Sequence, residues 1–123
     1  MRFLLVGAGG FLGANARYLL SLGVSNWWAH SFPIGTMLIN VTGSFVLALF
    51  VAYSLRRLGL PDSYRLLFTV GFLGSYTTFS TLTQETMELA AGGQVYLAAA
   101  YAGGSLVLGL LGATSGNALG GAL

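Results

Sequence analysis

The chain has 123 residues, 55% of them hydrophobic and 7% charged, with five Lys/Arg against three Asp/Glu. A soluble domain carries about 25% charged residues, so the composition excludes a soluble enzyme or a nucleic-acid binder. It gives instead one all-α membrane domain over 1–123, in contact with the lipid bilayer. Cysteine is absent, which excludes disulfides and thiolate metal sites.

Four apolar stretches of about 20 residues, each enough to cross a hydrocarbon core, use up the length. The first span is predicted over 3–22. Arg2, the apolar run Phe3–Leu12 and Ala14-Asn15-Ala16 have the outline of a signal peptide. The glycines within it, and the apolar continuation past Arg17, make it a retained span. Gly9 and Gly13 form a small-xxx-small pair, which predicts a packing face. The connection that follows carries Trp27, Trp28 and His30 before Pro33. Paired tryptophans suit a membrane interface, and His30 reads as an exposed loop residue.

The second span is predicted over 35–55. Thr36, Asn40 and Ser44 recur every four residues and so form one polar stripe on an apolar helix. The next connection holds Arg56, Arg57, Asp62 and Arg65. Together with Arg2 these arginines fall on one face, and the excess of positive charge places both termini in the cytoplasm.

The third span, over 66–89, is predicted to break in the middle, near Gly74–Thr78. Gly74, Ser75, Thr77 and Thr78 are poor helix formers that loosen the backbone ladder. Backbone freed at membrane depth is tolerated only inside protein or along a wet cavity. Such a break points to an ion or solute site, while close helix packing is the alternative for its small residues. Ser80, Thr81, Gln84 and Glu85 continue the polar run.

The fourth span is predicted over 95–119. Tyr101 and Ser105 lie one turn apart, and Gly112, Gly116 and Gly120 give a second packing face. No carboxylate pair, Ser–His–acid set or zinc spacing occurs, so the chain is not read as an enzyme.

Three runs bring a family into view. Gly9-Gly-x-x-Gly13-Ala-x-x-Arg17-Tyr18, Gly35-Thr-x-x-x-Asn40-x-x-Gly43-Ser44-Phe45 and Gly71-Phe-x-Gly74-x-x-Thr77-Thr78-Phe79-Ser80-Thr81 resemble the Fluc (CrcB) family of fluoride channels. The resemblance covers the chain in order. It implies a subunit of four helices, an antiparallel dual-topology homodimer in a bacterial inner membrane, two pores for passive fluoride export and a central structural sodium ion. Asn40 would be the pore asparagine, Thr36 its neighbour one turn away, and Phe79 the first of a phenylalanine pair. Gly74 and Thr77 would offer backbone carbonyls to sodium. Ser80, Thr81, Glu85, Tyr101 and Ser105 would continue a polar track, and Arg17 would match the arginine at the end of the first span.

Two positions depart from the family pattern. Leu82 stands where the second phenylalanine is expected, and Gly109 where a second serine is expected. With the one-sided arginines, these departures raise a heterodimer with a paralogous partner as an alternative to the homodimer. A small multidrug-type proton-coupled transporter is the other alternative, but it needs a carboxylate in the first span.

Overall fold

The computed structural model describes residues 1–54 and 59–123. All regular structure among them is helical. The helices are α1 (Arg2–Trp27), α2 (Ile34–Tyr53), α3 (Asp62–Arg65), a π-helical segment (Leu66–Leu73), α4 (Gly74–Tyr76), α5 (Phe79–Ala91) and α6 (Val95–Ala122). The segment from α3 to α4 runs without interruption, so 62–76 and α5 are the two halves of one broken span. α1, α2 and α6 are each long and apolar enough to cross a membrane.

α1 continues to Trp27, well past the predicted end of the first span, because nothing between Leu22 and Trp27 breaks the helix. Trp28 caps it in extended backbone, its N–H on the Val24 carbonyl. α2 starts just after Pro33, whose missing N–H costs nothing at a helix start. The region Asp62–Arg65, expected as loop, is helical and carries an Arg65–Asp62 ion pair at 3.9 Å. Arg56 and Arg57 lie outside the described residues, as does Leu55 at the predicted end of span two.

α5 closes on a tight turn. The Gln94 N–H donates to the Leu89 carbonyl (2.9 Å) and the Gly93 N–H to that of Ala90 (3.0 Å). This pairing needs a left-handed residue between them, and Gly93 supplies it with φ +82°. The turn lays α6 back on α5, where Leu89, Ala98 and the fully buried Tyr101 form a small core with Leu82 and Phe32 around it.

Glycines set the two closest helix contacts. A Cβ on Gly116 or Gly120 of α6 would run into the Phe45 or Leu49 carbonyl of α2, and Gly112 sits against the Val41 carbonyl. On α1, Gly9 and Gly13 meet the backbone of the π-helical segment at Leu67 and Phe72. Without side chains between them, the backbones come within van der Waals contact, which compensates for the lack of a hydrophobic drive between helices in lipid. α2 therefore pairs with α6, and α1 with the first half of the broken span. Large apolar side chains such as Phe3, Phe11 and Leu19 are exposed, as a chain solvated by lipid requires.

Candidate functional site: a clasped helix break

The break lies at Thr77 and Thr78. Gly74, Ser75 and Tyr76 remain helical, whereas Thr77 (φ −77°, ψ 157°) and Thr78 (φ −150°, ψ 119°) are extended. The chain is thus broken within the predicted region, but at its β-branched threonines and not at its glycine. Thr77 ties off the first half with both its N–H and its hydroxyl on the Leu73 carbonyl, each at 3.0 Å. Thr78 opens the second half by accepting the Thr81 N–H (3.2 Å) on its own hydroxyl, the usual device at a helix N-terminus.

Asn40 of α2 reaches this extended dipeptide and clasps it. Its Nδ2 donates to the Thr78 carbonyl (2.9 Å) while its Oδ1 accepts the Thr78 N–H (2.8 Å). The two bonds together fix the amide's orientation, since a flipped amide would set donor against donor. They also satisfy both backbone groups of a residue that belongs to no helix, as burial demands. One further helical turn would have placed the Thr78 N–H on the Gly74 carbonyl; Asn40 takes it instead. Gly43, one turn along α2, makes room for the clasp, because a Cβ there would overlap the Thr77 methyl.

Beside the break opens a cleft of about 700 Å3 bounded by α2, α5 and α6. Asn40, Thr77, Thr78, Phe79, Leu82 and Ser105 are among its lining residues. Phe79 is 77% exposed. Ser105 is the opposite case: its hydroxyl is buried and has no hydrogen-bond partner among the described residues. A buried hydroxyl left unpaired costs on the order of 1–3 kcal/mol, so the Ser105 hydroxyl stands out as an unsatisfied donor among the cleft residues. The second N–H of the Asn40 amide is also left over, since an amide carries two donors.

A second polar cluster stands one turn away. Thr36 donates to Glu85 Oε1 (2.9 Å) and the Tyr101 hydroxyl to Glu85 Oε2 (2.5 Å). Thr36 precedes Asn40 by four residues, Tyr101 precedes Ser105 by four, and Thr81 precedes Glu85 by four, so three helices carry the same step from the break to the carboxylate. The charge of Glu85 is held by two hydroxyl donors, which lowers the cost of placing it inside a span.

Not every expected residue gathers here. Ser80 and Thr81 sit in the exposed first turn of α5, linked to the Thr78 hydroxyl at 3.3 and 3.0 Å. Arg17 is half-buried on α1 and does not line the cleft. Thr78, by contrast, is not among the site residues expected from the sequence, although it is the clasped one. A threonine three residues ahead of the Thr81 N–H, inside a span, is an N-cap pattern that could have identified it.

Known proteins can be set beside this geometry. The family model described as "CrcB-like protein, Camphor Resistance (CrcB)" matches residues 4–117. A protein of Thermus thermophilus named "Fluoride-specific ion channel FluC" is 47% identical over 122 residues, which is 99% of this chain and 95% of the relative. One of the same name from Nitrobacter winogradskyi is 46% identical over 105 residues, 85% of this chain and 83% of the relative. "Fluoride-specific ion channel FluC 2" of Geobacillus kaustophilus is 45% identical over 118 residues, 96% and 92% of the two chains.

Proposed function

Because this chain belongs to the CrcB-like family, we propose that it is a fluoride-specific ion channel through which cytoplasmic fluoride leaves the cell passively. The observation that carries the proposal is the donor set at the cleft. Asn40, Ser105 and Phe79 are among the residues that line it, and none of its described lining residues is charged. Fluoride is strongly hydrated, so a dry pathway must replace water with hydrogen-bond donors, yet release the ion again. Neutral donors do both, whereas a fixed cation would hold it. The positive edge of an aromatic ring adds a further attraction at Phe79. From the cleft, Thr36, Ser80, Thr81, Glu85, Tyr101 and Ser105 carry the polar track onward.

Purified protein in proteoliposomes should release fluoride and retain chloride. Phe79→Ile should slow release severalfold, because isoleucine has no positive ring edge, with little loss of stability because Phe79 is 77% exposed. Leu82→Ala should act on stability instead, since Leu82 packs against the Leu89, Ala98 and Tyr101 core. Equal fluoride rates in the two variants would make Phe79 a packing residue. Release of chloride as fast as fluoride would remove the channel assignment altogether. The transporter alternative is not favoured: α1 contains no carboxylate, and Glu85 is already engaged by two hydroxyls.

We further propose that two subunits assemble in opposite orientations in the bacterial inner membrane, with a sodium ion between them at the break. The carbonyls of Gly74 and Thr77 would hold it. Neutral oxygens suit a hard cation, and the Asn40 clasp takes the Thr78 N–H that one further helical turn would have placed on the Gly74 carbonyl. Ser63 is exposed on α3, and a Ser63→Cys variant reports on orientation. Labelling by an impermeant thiol reagent from both sides of the membrane is the expected result. Labelling from the cytoplasm alone would require a paralogous partner subunit.

A further inference from the structure

Away from the clasp, a second cleft of about 350 Å3 lies between the start of α1 and the first half of the broken span. It is lined by Arg2, Asp62, Arg65, Leu66 and Thr69. Two of the chain's five basic residues therefore converge on one small cleft from two different helices. The single carboxylate there, Asp62, stands 3.9 Å from the Arg65 guanidinium, at the limit of an ion pair. A guanidinium has five N–H donors in a planar fork, and among the described residues the only ion pair of either arginine is the long one from Arg65 to Asp62. The Thr69 hydroxyl donates to the Arg65 carbonyl (2.7 Å) and holds the backbone of the helical turn that carries Arg65.

The surroundings decide what these donors meet. Arg2 is followed at once by Phe3 and Leu4, which are 93% and 77% exposed, and Leu66 forms an apolar wall of the cleft. In a membrane-spanning chain, a helix end with apolar side chains on one side and guanidinium groups on the other sits at headgroup level. Basic clefts between helices at that level suit phosphate headgroups, and planar guanidinium forks match phosphate oxygens two at a time.

We propose that Arg2 and Arg65 form a binding site for the phosphate of an anionic phospholipid, in the cleft that Thr69 helps to line, with the acyl chains lying along Phe3 and Leu4. The net charge of the cleft, two arginines against one aspartate, selects anionic over zwitterionic headgroups. The site is separate from the Asn40–Thr78 cleft and shares no lining residue with it.

Native mass spectrometry of the intact protein, taken from mixed phosphatidylglycerol and phosphatidylcholine vesicles, tests the site. The protein should retain phosphatidylglycerol preferentially, and an Arg2→Gln/Arg65→Gln variant should lose that preference on the order of tenfold. An Arg2→Lys/Arg65→Lys variant should keep most of it, which separates loss of charge from loss of fold. Asp62→Asn, which frees Arg65, should raise it. Equal retention of phosphatidylglycerol by the glutamine variant and the unmodified protein would overturn the proposal. So would binding of inorganic phosphate alone, with no preference between the two lipids.

Discussion

Asn40→Asp is expected to abolish fluoride efflux. Aspartate keeps the oxygen that accepts the Thr78 N–H, but it loses the Nδ2 donor to the Thr78 carbonyl and, with it, the amide's second N–H at a residue that lines the cleft. The Thr78 carbonyl would then face a carboxylate, with about 1–3 kcal/mol lost for the unpaired group and about 2.5–3.5 kcal/mol for a charge inside a span. Fluoride, itself an anion, would meet a negative group where it needs a donor. Efflux should fall to the background of empty vesicles, and the melting temperature should drop with it. The two readouts distinguish the two roles of the residue. Normal flux from folded Asn40→Asp protein would mean that the amide serves the break and not the ion.

Gly13→Ala should be the most damaging single-methyl change in the chain. Its Cβ would overlap the Phe72 carbonyl oxygen and come within 2.8 Å of the carbonyl carbon. Those atoms belong to backbone, so no side chain can rotate away. α1 must then move off the π-helical segment, opening a contact that also includes Gly9 and Gly71. Overpacking costs about 1–3 kcal/mol even where side chains can adjust, and here the upper end or beyond applies. The variant should yield little monodisperse protein, with a strongly lowered melting temperature. Gly23→Ala, on the same helix with nothing within 4 Å of its Cβ, should be neutral or slightly stabilising, since alanine is the better helix former by about 1 kcal/mol. Equal behaviour of the two variants would show that the close α1 crossing does not support the fold.

The clasp explains why one amide is asked to do two things. An extended dipeptide inside a membrane must have its N–H and carbonyl satisfied within the protein. A single primary amide offers a donor and an acceptor side by side and closes on both. Its second N–H is not used by those two bonds. If the proposed fluoride pathway uses that donor, structure and transport share one side chain, and the two variant readouts above are coupled for that reason.

The sequence alone determined the class of the protein and the ingredients of its site. Charge-poor stretches of membrane length defined four spans, and the hydroxyl-rich run at Gly74–Thr78 marked the third as broken, because those residues loosen a helical ladder wherever they stand. The i, i+4 spacing of Thr36 and Asn40, and of Tyr101 and Ser105, put each pair on one helix face, since 3.6 residues make a turn in any context. Which faces meet was decided only by the tertiary structure. Small-residue pairs on α1 and α6 predict close packing but carry no address. It took the fold to set Gly13 on Phe72 and Gly116 on Phe45, because the fit of one backbone against another depends on both surfaces. The same holds for the bonds of the site. Asn40 and Thr78 are 38 residues apart, and Thr36 and Glu85 are 49 apart; no local rule pairs them. The break itself fell at Thr77–Thr78 and not at Gly74 because a partner amide waits there, and an unwound turn is stable only where something accepts its freed hydrogen bonds.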